Sequence, residues 1–140
     1  MSHIVSGTAA GGAGPTGQQL SHTAPISMLT LSCLISQTGQ TTVTFAGELD
    51  TASADRAYEY VRDAIDVHNG EVLLDVAGLS FCDARGLGAL ARMSRHAEQA
   101  GSSLHLVAPR PPLMKIIRIT GLEDKLPVYR ENQARQPQVA

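Results

Sequence analysis

The sequence has no basic block. Eleven Lys and Arg stand against thirteen Asp and Glu, a formal net charge of −2, so the electrostatic footprint of a nucleic-acid-binding protein is missing. Cysteine is scarce. Cys33 and Cys82 are too few and too far apart for a disulfide scaffold or a zinc site, and they suit a reducing compartment. No apolar run reaches the ~18 residues needed to span a bilayer. The N-terminus lacks the basic-then-apolar order of a secretory signal, so the chain reads as cytoplasmic. His3, His22, His68, His96 and His105 show no metal-ligand spacing. Ser80 and Ser94 lack the glycine-flanked elbow of a serine nucleophile. Asp63 with Asp66, and Glu123 with Asp124, read as solvated faces rather than acid–base pairs. No enzyme, no metal and no cofactor is expected.

What remains is one compact domain between two tails. Its 140 residues are enough for one core but not for a core plus a separate large catalytic unit. Residues 1–25 are rich in Gly, Ala, Ser and Thr and read as a flexible tail. The run Ala9 to Pro15 is no phosphate loop, because no strand precedes it and no Gly-Lys-Ser/Thr follows. Residues 131–140 are polar and read as a second tail. The domain is assigned to 26–130.

Inside the domain the hydrophobic period changes in a regular order. Met28 to Ser36 alternates, with Leu29, Leu31, Cys33 and Ile35 on one face. A Gly39 turn leads to a second strand over Thr41 to Leu49, which makes an antiparallel hairpin. A helix follows, capped by Thr51 or Ser53, with Ala54, Ala57, Tyr58, Val61, Ala64 and Ile65 on one stripe. Val72 to Val76 is apolar at adjacent positions, as in a strand covered on both faces. The next helix spans about Ala84 to Gln99, with Leu87, Leu90, Ala91 and Ser94 inward. Leu104 to Val107 is another strand. Pro111 and Pro112 start a third helix that Gly121 stops. Pro127 to Tyr129 reads as a short strand or extended segment. The class is α/β, in the order β-β-α-β-α-β-α, with a mixed sheet of four to five strands and helices mainly on one face.

The segment Phe81-Cys82-Asp83-Ala84-Arg85-Gly86-Leu87-Gly88 is the candidate site. It joins a strand end to a helix start, where unpaired N–H groups and a positive dipole end collect, and open α/β sheets bind ligands beyond their strands' carboxyl ends. Asp83 reads as the helix N-cap or as a partner contact. Arg85 opposes the dipole unless Asp83 or Asp50 pairs with it. It reads as a contact for an acidic partner surface, as a clamp for an anion such as a nucleotide phosphate, or as a solvated side chain. Asp50 either caps the first helix or joins the same patch. Gly86 and Gly88 allow close packing against the sheet or a partner. They form no dinucleotide fingerprint. Cys82 and Cys33 are redox candidates against the plainer reading of packed thiols.

Four segments together resemble the STAS domain, and within it the anti-sigma factor antagonists. They are Phe45 to Asp50, Val72 to Leu79, Phe81 to Gly88 and Gly121 to Leu126. The resemblance covers about Ile26 to Tyr129. It implies a regulatory protein of sigma-factor-dependent transcription that binds an anti-sigma factor with a serine-kinase-like ATPase fold. The partner surface it implies is Asp50, Thr51, Asp83, Ala84, Arg85, Gly86, Leu87 and Gly88. It also implies phosphorylation of a junction serine or threonine, which ends binding by adding charge and bulk. Here Asp83-Ala84-Arg85-Gly86 replaces the usual Asp-Ser/Thr-Ser/Thr-Gly, and Arg85 holds the phosphoacceptor position without an esterifiable hydroxyl. Two other readings stay open: a nucleotide- or anion-sensing module, and an adaptor subunit of a transport complex. Dimer contacts through the first strand's edge, or through Met114 and Ile119, are unselected.

Overall fold

The structure is a computed structural model and describes residues 3–7 and 28–130. A five-stranded sheet has the spatial order β1-β2-β3-β4-β5. Its strands are β1 (His3–Gly7), β2 (Leu29–Ile35), β3 (Thr41–Leu49), β4 (Glu71–Cys82) and β5 (Ser103–Val107). β1 and β2 pair antiparallel, as do β2 and β3, whereas β3–β4 and β4–β5 are parallel. Helices α1 (Ala54–His68) and α2 (Ala84–Gln99) fill the two parallel connections and α3 (Pro111–Ile119) follows β5; the helices lie on one face, as crossovers of one hand require of the first two.

The core follows the alternation. Leu29, Leu31 and Cys33 of β2 meet Val43, Phe45 and Leu49 of β3 and Leu74 and Val76 of β4. Over them lie Ala57, Val61 and Ile65 of α1 and Leu87, Leu90, Met93 and Ala97 of α2. Met93 is fully buried while Ala91 and Ser94 are only half-buried. The inner stripe of α2 is therefore rotated from the expected Ala91 and Ser94, and the Ser94 hydroxyl instead donates to the Lys125 carbonyl. Leu113 and Ile117 bring α3 onto the same core. Gly121 stops it at φ +74°. Pro127 to Tyr129 runs extended beside β5, with a single parallel bridge between Leu106 and Val128.

Two departures from expectation matter for the site. His3–Gly7 form a strand against β2, inside the stretch expected to be tail, and so cover the edge considered for dimer contact. Residues 1–2, 8–27 and 131–140, including the rest of both expected tails, lie outside the described residues. β4 also continues six residues past Val76, to Cys82. Its register against β3 slips twice, between Thr44 and Ala46 and between Gly47 and Glu48. Bulges bend and twist a strand locally, and the second one is pinned by the Ser80 hydroxyl donating to the Gly47 carbonyl at 3.1 Å. Gly47 sits at φ +114°, and a Cβ there would lie 1.8 Å from the Met28 carbonyl oxygen. Only glycine fits.

Candidate functional site

β3 and β4 end side by side, Leu49 opposite Cys82, and each is followed by a helix. The two helix starts therefore lie next to each other at one end of the sheet. The Asp83 N–H donates to the Leu49 carbonyl at 3.2 Å and extends the pairing past the last strand residue.

Asp83 is the N-cap of α2, with extended backbone at φ −96°, ψ −171°. Its Oδ1 accepts from the Gly86 N–H at 2.8 Å, and this satisfies one of the orphan donors of the first turn. Its other oxygen, Oδ2, accepts from the Thr51 N–H at 3.3 Å. One carboxylate thus caps its own helix and ties down the neighbouring loop.

Asp50 acts locally. Its Oδ1 accepts from the Ala52 N–H at 3.0 Å, the Ser53 N–H at 3.2 Å and the Ser53 hydroxyl at 3.2 Å. Ser53 is buried; its single hydroxyl proton is shared between the Asp50 Oδ1 and the Glu48 carbonyl, the latter at 3.0 Å, and its oxygen accepts from the Asp50 N–H at 3.0 Å. Ser53 occupies the N-cap position of α1 without making a side-chain cap bond. The expected cap by Thr51 or Ser53 is replaced by an Asp50 turn, because the Ser53 hydroxyl faces back into the loop.

The five residues after Asp83 divide by contact. Gly86 and Leu87 are buried, whereas Ala84, Arg85 and Gly88 are exposed. A Cβ on Gly86 would stand 2.2 Å from the Leu49 carbonyl oxygen, while one on Gly88 would meet nothing within 4 Å. The expectation of close packing therefore holds within the chain at Gly86 alone. Gly88 leaves a shallow, open spot on the outer face of α2. Arg85 has no ion pair among the described residues. The expected pairing with Asp83 or Asp50 does not form, since both carboxylates are engaged with backbone N–H groups and, for Asp50, the Ser53 hydroxyl. With Thr51, these side chains make one exposed surface: Thr51, Ala84, Arg85 and Gly88, held on a base of Asp50, Asp83, Gly86 and Leu87.

The anion clamp loses ground in this geometry. The Gly86 N–H is already taken by a carboxylate, and that fixed negative charge at the helix start repels a phosphate.

The cysteines do not meet. Cys33 lies opposite Val43, and Cys82 lies opposite Leu49. At ~3.3 Å per residue, the run from Val43 to Leu49 is about 20 Å long, far beyond the ~7 Å between Cα atoms that a disulfide tolerates. Both are free thiols. Burial, and then the Asp83 charge, push the Cys82 thiol up to about 12, and burial pushes the Cys33 thiol up as well. Both shifts disfavour the thiolate, the reactive form in thiol oxidation.

Among the described residues, no group of three or more His, Cys, Asp or Glu side chains is placed to hold a metal ion. No described helix is long and apolar enough to cross a membrane. Phe81 is the residue whose situation the sequence does not reveal. It belongs to the junction motif, yet its side chain is 51% exposed, because the bulge at Ser80 carries it past the edge of the core.

The STAS domain model matches residues 34–134. An anti-sigma F factor antagonist of Paenibacillus polymyxa is 27% identical over 88 residues, 62% of this chain and 75% of the relative. Two solved structures share the fold. An anti-sigma factor antagonist from Mycobacterium paratuberculosis superposes with a TM-score of 0.64 at 22% identity, covering 76% of this chain and 90% of that one. The Bacillus cell fate determinant SpoIIAA in its phosphorylated form gives 0.58 at 21% identity, covering 79% and 99%. The family model spans the strand-to-helix junction and all three helices, and the chain belongs to the STAS domain family, in which it is similar to anti-sigma factor antagonists.

Proposed function

We propose that this protein regulates sigma-factor-dependent transcription by binding an anti-sigma factor of serine-kinase-like ATPase fold, and that it acts by occupancy rather than catalysis. The contact surface is Thr51, Ala84, Arg85 and Gly88. The observation that carries the reading is the Asp83 carboxylate, which accepts from both Gly86 and Thr51 and so holds two loops as one preformed face. Preformed faces lose little freedom on binding. The similarity to the Paenibacillus polymyxa antagonist supplies the partner class.

Phosphorylation at the family's acceptor position does not switch this surface. The phosphoacceptor position implied by the family resemblance is Arg85, and its neighbour is Ala84. An exposed arginine adds positive charge where a phosphoserine would add close to two negative charges. The protein is therefore binding-competent without dephosphorylation. Purified host anti-sigma factors, immobilised and challenged with the full chain, test this directly. At least one retains the wild-type protein, and Arg85→Glu reduces retention by about 10-fold or more, as expected for a central interface arginine. Incubation with the same partner and labelled ATP leaves the chain unlabelled. Failure of every anti-sigma factor to bind, or efficient labelling, defeats the reading.

A further inference from the structure

Beside the junction lies a cleft that the exposed surface of α2 does not use. Phe81 and Cys82 at the end of β4 form one wall, and Pro112, Leu113 and Ile116 of α3 form the other. Val76 and Leu79 line its floor, and it encloses about 260 Å³. Its lining is mostly apolar, with Ser80 as a polar member and Arg110 as the one charged group. The Arg110 Nε donates to the Ala77 carbonyl at 2.7 Å. The residue is exposed, and its guanidinium has no carboxylate partner among the described residues.

Three features of the cleft suit it to a partner. A large aromatic is half exposed in a fold whose other phenylalanine, Phe45, is fully buried. Phe81 is held there by a pinned bulge rather than by a loose chain end. An unpaired guanidinium stands at the edge of an apolar surface, which complements a carboxylate. Partly exposed aromatics next to an arginine are the side chains that dominate protein interfaces.

We propose that this cleft is a second docking point for the anti-sigma factor, and that it receives an apolar side chain from a segment whose adjacent acidic residue pairs with Arg110. The inference rests on the proposed function and names the chemistry of its partner. Phe81 and Asp83 are two residues apart, so one partner reaches the cleft and the α2 surface together. Two linked contacts give an affinity that neither supplies alone.

Titration calorimetry of the full chain with a purified host anti-sigma factor tests it. Phe81→Ala removes the wall, and Pro112→Glu sets a carboxylate at the start of α3, a position that favours acidic residues. Each is expected to weaken binding by about 10-fold or more while the melting temperature stays within a few degrees of wild type. Arg110→Gln is expected to flatten the salt dependence of binding. Wild-type affinity in both Phe81→Ala and Pro112→Glu, with Gly88→Trp still abolishing binding, overturns the cleft and leaves the proposed function standing. No binding by the wild-type chain overturns both. A change of self-association in Phe81→Ala, seen by sedimentation and without loss of partner affinity, assigns the cleft to a second copy of this chain and overturns the proposal.

Discussion

The two helix starts at the site end of the sheet look alike in sequence and behave differently. Each follows a strand that ends in an aspartate-bearing turn, Asp50 before α1 and Asp83 before α2. Asp50 spends its bonds inside its own turn, on Ala52 and Ser53. Asp83 spends one bond on its own helix and one on the neighbouring turn, 32 positions away in sequence. The first start is a self-contained loop. The second organises both, and the exposed surface takes Thr51 from the first start and Ala84, Arg85 and Gly88 from the second.

Substitutions separate the two. The largest effect is expected at Gly86→Ala, where a methyl group meets the Leu49 backbone. Overpacking against backbone costs about 3 kcal/mol, and chemical denaturation reads it as a lowered midpoint with an unchanged slope. Asp83→Ala comes next. It removes a cap and the tie to Thr51, with a cost of about 2 kcal/mol, and amide exchange at Thr51 and Gly86 rises together. Asp50→Ala is expected to cost about 1 kcal/mol and to speed exchange at Ala52 and Ser53 while Gly86 stays protected. Equal exchange patterns in the two variants would erase the distinction between the starts. At the other end of the sheet, Thr41 is fully buried and its hydroxyl has no partner. Thr41→Val is expected to stabilise the fold by about 1 kcal/mol without touching either loop. The smallest effect is chemical. With its thiol at about 12, Cys82 in the folded protein is expected to resist alkylation at about pH 8, a pH at which an ordinary exposed cysteine reacts readily.

Much of this was legible in the sequence because it depends on local pattern. Alternation at Leu29 to Cys33, the apolar stripe of α1 and the glycine after α3 follow from periods of two and 3.6. The cap by Asp83 on Gly86 was legible for the same reason, since donor and acceptor lie three residues apart. What escaped was non-local. His3–Gly7 is a strand only because β2 pairs with it, and its Gly-, Ala-, Ser- and Thr-rich surroundings mask the pattern. The Thr51–Asp83 bond joins two turns that only the parallel β3–β4 pairing brings together. Gly86 and Gly88 look equivalent in the chain, yet only Gly86 abuts the Leu49 backbone. The bulge at Ser80 shifts Phe81 by one register position, which decides its exposure and carries no compositional mark.

The account stands on the outer face of α2 being the place where a partner sits, and Gly88 tests it with the least disturbance to the fold. Nothing lies within 4 Å of a Cβ placed there, so Gly88→Trp leaves the melting temperature near wild type while filling the surface. Titration of this variant against a host anti-sigma factor that binds the wild-type chain is expected to show affinity lowered by about 100-fold or lost, as a central interface clash requires. Undiminished affinity in a folded Gly88→Trp protein would contradict it.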